Sequence, residues 1–268
     1  MENPDTAPLP RLAVIELRYP LAPVLTNSDS LLQLSESLRG DLPIVRGGPM
    51  PQLSISVGQG PISAPQSAYR FMSRDLFTSA TVAPTAAVVE TTSYQGWPAF
   101  TDLFKRVLDA ISALGQLQGA ERIGLRYINE IRLPGDPAGL EAWQPVVSPE
   151  AVAPHVLASR LTGHHVTQGL SQTTIRVAET TTITVRQGLM LGYTVGDSPL
   201  KVPTPLSRGP YFLVDIDSAT AAPEPVPPFD RDEVLRSADL LHAPIKSIFE
   251  GIVQPAYRGE HPRLGGDE

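Results

Sequence analysis

Two acidic residues, Asp215 and Asp217, stand two apart in the run Tyr211-Phe212-Leu213-Val214-Asp215-Ile216-Asp217. A strand sends successive side chains to opposite faces, so both carboxylates share a face with Tyr211 and Leu213, where a third oxygen ligand would complete a divalent-cation site. No third acidic ligand stands out. A strand with an apolar face of Phe212, Val214 and Ile216 explains the pattern without a metal. His164 and His165 are adjacent, so their side chains diverge, and with His155 they match no zinc spacing. Ser198-Pro199-Leu200-Lys201 fits S-x-x-K but lies among prolines and Gly196, where the helix that this chemistry needs cannot start. Gly58-Gln59-Gly60 lacks the third glycine and helix of a dinucleotide loop, and no Walker, G-x-S-x-G or H-E-x-x-H pattern occurs. No catalytic residue, metal or cofactor is expected. The binding candidates are Arg126, Tyr127, Asn129, Asp215, Asp217 and Trp97. A guanidinium fork and an amide on one strand suit a buried network or a ligand, and Trp97, Tyr127 and Phe212 suit a pocket wall.

The elements that must position these residues are read from periodicity. Leu12 to Tyr19 alternates, with Leu12, Val14, Glu16 and Arg18 on one face and Ala13, Ile15, Leu17 and Tyr19 on the other, which predicts a strand. Asn27 or Ser28 caps a helix carrying Leu31, Leu34 and Leu38. Extended runs are expected at Leu53 to Val57, Tyr69 to Ser73, Phe77 to Val82 and Ala86 to Thr92, and a helix carries the stripe Trp97, Phe100, Phe104, Val107, Leu108, Ile111 and Leu114.

The second half repeats this order. A strand is predicted at Ile123 to Leu133, a Ser148-capped helix to about Leu161, extended runs at Gln172 to Val177, Thr181 to Arg186, Leu189 to Val195 and Tyr211 to Ile216, and a final helix from Asp230. Thr173, Thr174, Thr180 to Thr182 and Thr184 make a threonine-rich hairpin. Asp230 and Glu233 form a capping box, and Pro244 is expected to kink or restart the helix near His242. Leu17-Arg18-Tyr19 and Leu125-Arg126-Tyr127 sit in matching opening strands. The expectation is a flexible N-terminus (1–11), two tandem β-α-β(4)-α units (12–119 and 120–257) and a flexible tail (258–268). The class is α+β: antiparallel sheets covered by helices, similar to a duplicated TATA-binding-protein-like saddle or a helix-grip fold.

Gly124-Leu125-Arg126-Tyr127-Ile128-Asn129-Glu130-Ile131, the Tyr211 to Asp217 run, Leu241-His242-Ala243-Pro244-Ile245-Lys246-Ser247-Ile248-Phe249 and Tyr94-Gly96-Trp97-Phe100 resemble a sporadically distributed bacterial family of roughly 250-residue proteins of no established function. The resemblance implies a cytoplasmic protein in a mobile or defence-associated setting. Composition is compatible: the chain has no cysteine, 41% hydrophobic residues and a net charge of -7. The acidity is concentrated in the second half, and no cationic cluster suited to nucleic acid occurs. No apolar run is long enough to cross a membrane. The reading is a non-enzymatic binding or adaptor protein for a protein or peptide partner, with homo-oligomerisation possible. Its rivals are a small-molecule pocket between sheet and helix, and a metal-dependent hydrolase using Asp215 and Asp217.

Overall fold

A computed structural model describes residues 10–49, 67–115, 117–133, 140–192, 199–204, 209–255 and 257. The described part of the first half runs β1 (Leu12–Arg18), α1 (Ser28–Leu38), β2 (Ile44–Pro49), β3 (Ser67–Met72), β4 (Thr78–Ala83), β5 (Ala86–Thr91) and α2 (Trp97–Ser112). The second runs β6 (Arg122–Ile131), α3 (Pro149–Thr162), β7 (Ser171–Arg176), β8 (Thr181–Leu191), β9 (Pro210–Thr220) and α4 (Arg231–Ile252).

All strands join one antiparallel sheet in the order β2-β3-β4-β5-β1-β6-β9-β8-β7. The opening strands of the halves pair directly, with Glu16 opposite Gly124 near the middle of the ladder. Each opening strand is flanked on its other side by the last strand of its own half, β5 beside β1 and β9 beside β6. The sheet is therefore continuous, and no cleft separates the halves at their junction.

The helices supply one cover. Ala13, Ile15, Leu17 and Tyr19 of β1, with Leu125 and Tyr127 of β6, pack under Phe104, Val107 and Leu108 of α2 and Ala238, Leu241 and Ile245 of α4. The alternation of β1 dictates this, because its odd-numbered residues are all apolar. α2 follows from its wide apolar stripe. α4 starts where the Asp230 carboxylate accepts hydrogen bonds from Asp232 N and Glu233 N.

Four expectations are corrected or fall outside view. The second half has three strands after its helix instead of four, because the runs on either side of Gly188 are one strand, β8. Glycine stands there for close approach: a Cβ on residue 188 would lie 1.9 Å from the Gly169 carbonyl oxygen, because the chain entering β7 runs hard against β8, with Gly169 N donating to Leu189 O at 2.9 Å. α4 runs unbroken from Arg231 to Ile252 with Pro244 inside it. The carbonyl that Pro244 cannot serve belongs to Leu240, whose side chain is 75% exposed, so the loss falls on the solvent side. The helix-free face is also not bare. Leu200 and Val202 cross it and pack on a second apolar cluster containing Leu12, Val14, Met72, Val88, Ile128 and Leu213. Lys201 N donates to Leu76 O at 3.0 Å, and Thr92 Oγ1 donates to the Lys201 carbonyl. The run Leu53 to Val57, Gly58 to Gly60, Ser198 and the tail beyond 257 lie outside the described residues.

Candidate functional site

Strand parity divides the candidate residues. In β6 the even-numbered side chains Arg122, Arg126 and Glu130, followed by Arg132 just past the strand, face away from the helices, whereas Tyr127 and Asn129 face towards them. In β9, Asp215 and Asp217 share the helix-free face with Arg126, as their two-residue spacing predicts. The ladder then sets Asp217 directly opposite Arg126 and Asp215 directly opposite Arg186.

Three carboxylates on this face each sit between two arginines. At the inner end, Glu130 meets Arg132 at 3.0 Å and Arg11 at 3.6 Å. In the middle, Arg126 clamps Asp215 through two hydrogen bonds of 2.7 Å, and Arg186 adds a third at 3.2 Å. At the outer end, Glu16 meets Arg122 at 3.1 Å and also bonds Arg18. Gly124 gives the outer group room: a Cβ there would stand 3.1 Å from Arg122 Nη1, whose guanidinium lies back along the strand. Exposure rises along the series. The arginine side chains are 3% and 5% accessible in the inner group, 9% and 16% in the middle, and 57% and 31% at Arg18 and Arg122. The sealed end borders the apolar cluster under Leu200.

Burial shapes the charges. Desolvation alone would lower the Arg126 pKa, but the hydrogen bonds and charge of Asp215 more than reverse it, so the guanidinium is held more firmly cationic. Desolvation pushes the Asp217 carboxyl above the ordinary aspartate range, partly offset by Arg126 and Arg122. Glu90, in the same cross-strand row beyond Val14, is also raised by burial, against the opposing effect of its hydrogen bond from Ser79 and of Arg70. Asp215 accepts from two guanidinium groups and is thereby occupied, whereas Asp217 hydrogen-bonds to no described residue. Among the described residues no three His, Asp or Glu side chains gather in a metal-binding group. His155 is buried on α3, and His164 and His165 are exposed.

On the helix side, Tyr127 joins a packed aromatic cluster. Its hydroxyl lies 3.0 Å from the Tyr94 hydroxyl and 3.3 Å from His242 Nδ1. Trp97 stacks on His242 with centroids 4.3 Å apart and donates from Nε1 to Asp239 at 2.8 Å. Burial pushes the Tyr94 hydroxyl up to about 12. The cluster pins α2, α4 and β6 together and spends its polar atoms internally. Asn129 is fully buried and donates from Nδ2 to Val214 O at 2.9 Å. Phe212 packs instead against Trp143, so the structure does not gather Trp97, Tyr127 and Phe212 around one pocket. A cavity of about 630 Å³ opens elsewhere, between the end of α2 and the start of α4, where Arg231 bridges Asp109 and Asp232.

Sequence reasoning missed Glu16, Arg122, Arg186, Arg11, Glu130 and Arg132. The signal for the β6 members was parity: three ionic residues, Arg122, Arg126 and Glu130, at even positions of a strand whose odd positions are Ile123, Leu125, Tyr127, Asn129 and Ile131, with Arg132 just past its end. No known family model, curated protein or solved structure matches the chain.

Proposed function

We propose that the chain is a non-enzymatic binding or adaptor protein that receives an acidic segment of a partner protein at the open end of the helix-free face. The observation that carries this reading is the outward gradient of the arginine groups. Each carboxylate is outnumbered by its guanidinium partners, and the most exposed set, Arg18 and Arg122 around Glu16, lies where the face opens. In a chain of net charge -7 this is a local reversal of sign. Guanidinium forks match carboxylates in bidentate geometry, and a positive patch steers an acidic partner into register. Two matching sheet-and-helix units, in the manner of a duplicated saddle, would set this face astride their junction. The neighbour relations of β1 and β6 support that arrangement.

A hydrolase reading has less behind it, because Asp215 would have to leave Arg126 and Arg186 to take a cation. A small-molecule reading centred on Tyr127 and Trp97 would have to break the Tyr94, His242 and Asp239 hydrogen bonds. The test is a pull-down from the native host with the wild-type chain and with an Arg18→Glu/Arg122→Glu variant. A stoichiometric partner held at low salt, lost at high salt and lost from the variant is the expected result. The absence of such a partner, or a partner indifferent to the two substitutions, counts against the reading.

A further inference from the structure

Among the described residues the sheet ends on one side in β7, which pairs with β8 alone, and every residue from Gln172 to Thr180 is exposed. Val177 N donates to Thr181 O in the same register as the strand pair. Alternation along an antiparallel ladder then makes Ile175 with Ile183, and Thr173 with Val185, the hydrogen-bonded pairs. The backbone N–H and C=O groups of Gln172, Thr174 and Arg176 therefore face outwards. Their side chains lie on the helix-free face, level with Arg186, Thr184 and Thr182 of β8.

This edge is wired to the arginine groups. Arg186 donates from Nε to Gln172 Oε1 at 2.9 Å and from Nη1 to Asp215 at 3.2 Å. A single row of hydrogen bonds thus runs from Arg126 on β6 across β9 and β8 to the edge strand. Exposed Arg176 pairs with no carboxylate among the described residues. On the opposite side of β7, Ile175 is 40% exposed.

We propose that a further segment of the partner adds to β7 as an antiparallel or parallel strand, with acidic residues on the Arg176 side and apolar residues on the Ile175 side. This rests on the reading that the arginine face takes an acidic partner, and it gives that partner a second hold, about 14 Å across the sheet from β6. The outward groups of Gln172, Thr174 and Arg176 supply the backbone bonds, and the alternation of the strand supplies the selectivity. A second copy of the chain fits this edge less well. Antiparallel self-pairing about Thr174 would put Arg176 and Arg186 of both copies on one face with no carboxylate from either β7, between two chains that each carry -7.

The test uses the full chain and a labelled peptide of about ten residues, the length of a long strand, with alternating glutamate and valine. Wild type is expected to bind this peptide and not its lysine–valine counterpart, and hydrogen exchange of the amides of Gln172, Thr174 and Arg176 is expected to slow on binding. Thr174→Pro deletes an outward N–H and leaves the β8 ladder whole, as proline on an edge strand permits. It is expected to weaken binding by about tenfold or more with thermal stability unchanged, a difference of about 1.4 kcal/mol in binding. Loss of binding in Arg122→Glu with none in Thr174→Pro would place the peptide on the face and off the edge, overturning strand addition and leaving the functional reading standing. No binding of the glutamate–valine peptide to wild type overturns strand addition as well, and the pull-down above then decides the functional reading by itself. Self-association that Thr174→Pro abolishes would give the edge to a second copy and equally overturn the proposal.

Discussion

The two faces of the sheet are built from the same strands on different principles. Towards the helices, β1 presents Ala13, Ile15, Leu17 and Tyr19 to a continuous apolar core. Away from them the same strand presents Leu12 and Val14 to a smaller cluster, and then Glu16 and Arg18 to the arginine groups. Apolar burial is tolerant of detail, and stability there scales with area. A buried ion pair is demanding: desolvation of both charges consumes most of the attraction, and the geometry must be right for it to break even. An apolar pair of like volume in place of Arg126 and Asp215 would serve stability about as well, so stability alone does not account for an ion pair across these central strands.

That contrast can be broken most sharply at Asp215. Asp215→Ala takes away the carboxylate that both Arg126 and Arg186 bond, leaving only the unbonded Asp217 near them, and is expected to cost about 3–5 kcal/mol in urea unfolding. Phe104→Ala on the helix face is expected to cost a similar ~3–5 kcal/mol through cavity formation. The two differ in rescue. Adding Arg126→Met to the Asp215 variant should recover much of the loss, because the largest stranded charge is removed with it. A single Asp215→Ala that unfolds like wild type would remove the distinction between the faces.

A middle-sized effect is expected at Tyr127→Phe, which takes a shared hydrogen bond from Tyr94 and His242 without opening a cavity. About 1 kcal/mol should be lost, read by the same unfolding curves. The smallest effect is expected at Asp217→Asn, and its sign is opposite. Burial raises the Asp217 pKa above its unfolded value, so the folded chain holds the proton to higher pH than the unfolded chain does. Its contribution to stability therefore falls as pH rises from about 4 through the folded value. Asn cannot ionise, so the variant should melt a few degrees above wild type at neutral pH, with the advantage disappearing below about pH 4. A variant that melts below wild type at neutral pH would show that Asp217 is held by Arg126 and Arg122 more strongly than its burial opposes.

Much of the architecture was legible because periodicity and caps are local. The odd-even division of β1, the wide stripe of α2 and the Asp230 cap of α4 all follow from neighbours a few positions apart. β8 was misread because a glycine between two extended runs looks like a turn, and the Gly169 backbone that closes on Gly188 is not its neighbour in sequence. The site was half legible. Arg126 and Asp215 stood out one by one, but their meeting depends on β6 lying beside β9, across 89 positions. Glu16 and Arg186 looked like ordinary solvated charges, since nothing local distinguishes a cation on an open loop from one aimed along a row of strands.

The close approach of Gly169 to Gly188 also bears on how the edge is fastened. The base of the β7–β8 hairpin carries one rung beyond β7, Gly169 N to Leu189 O, against backbone that leaves no room for a side chain at 188, while the exposed tip is tied to the end of β9 by the bond from Ala221 N to the Thr180 carbonyl. The edge strand is thus fastened at both ends, like a string between two pegs, and the stretch between them can lend its outward groups without leaving β8.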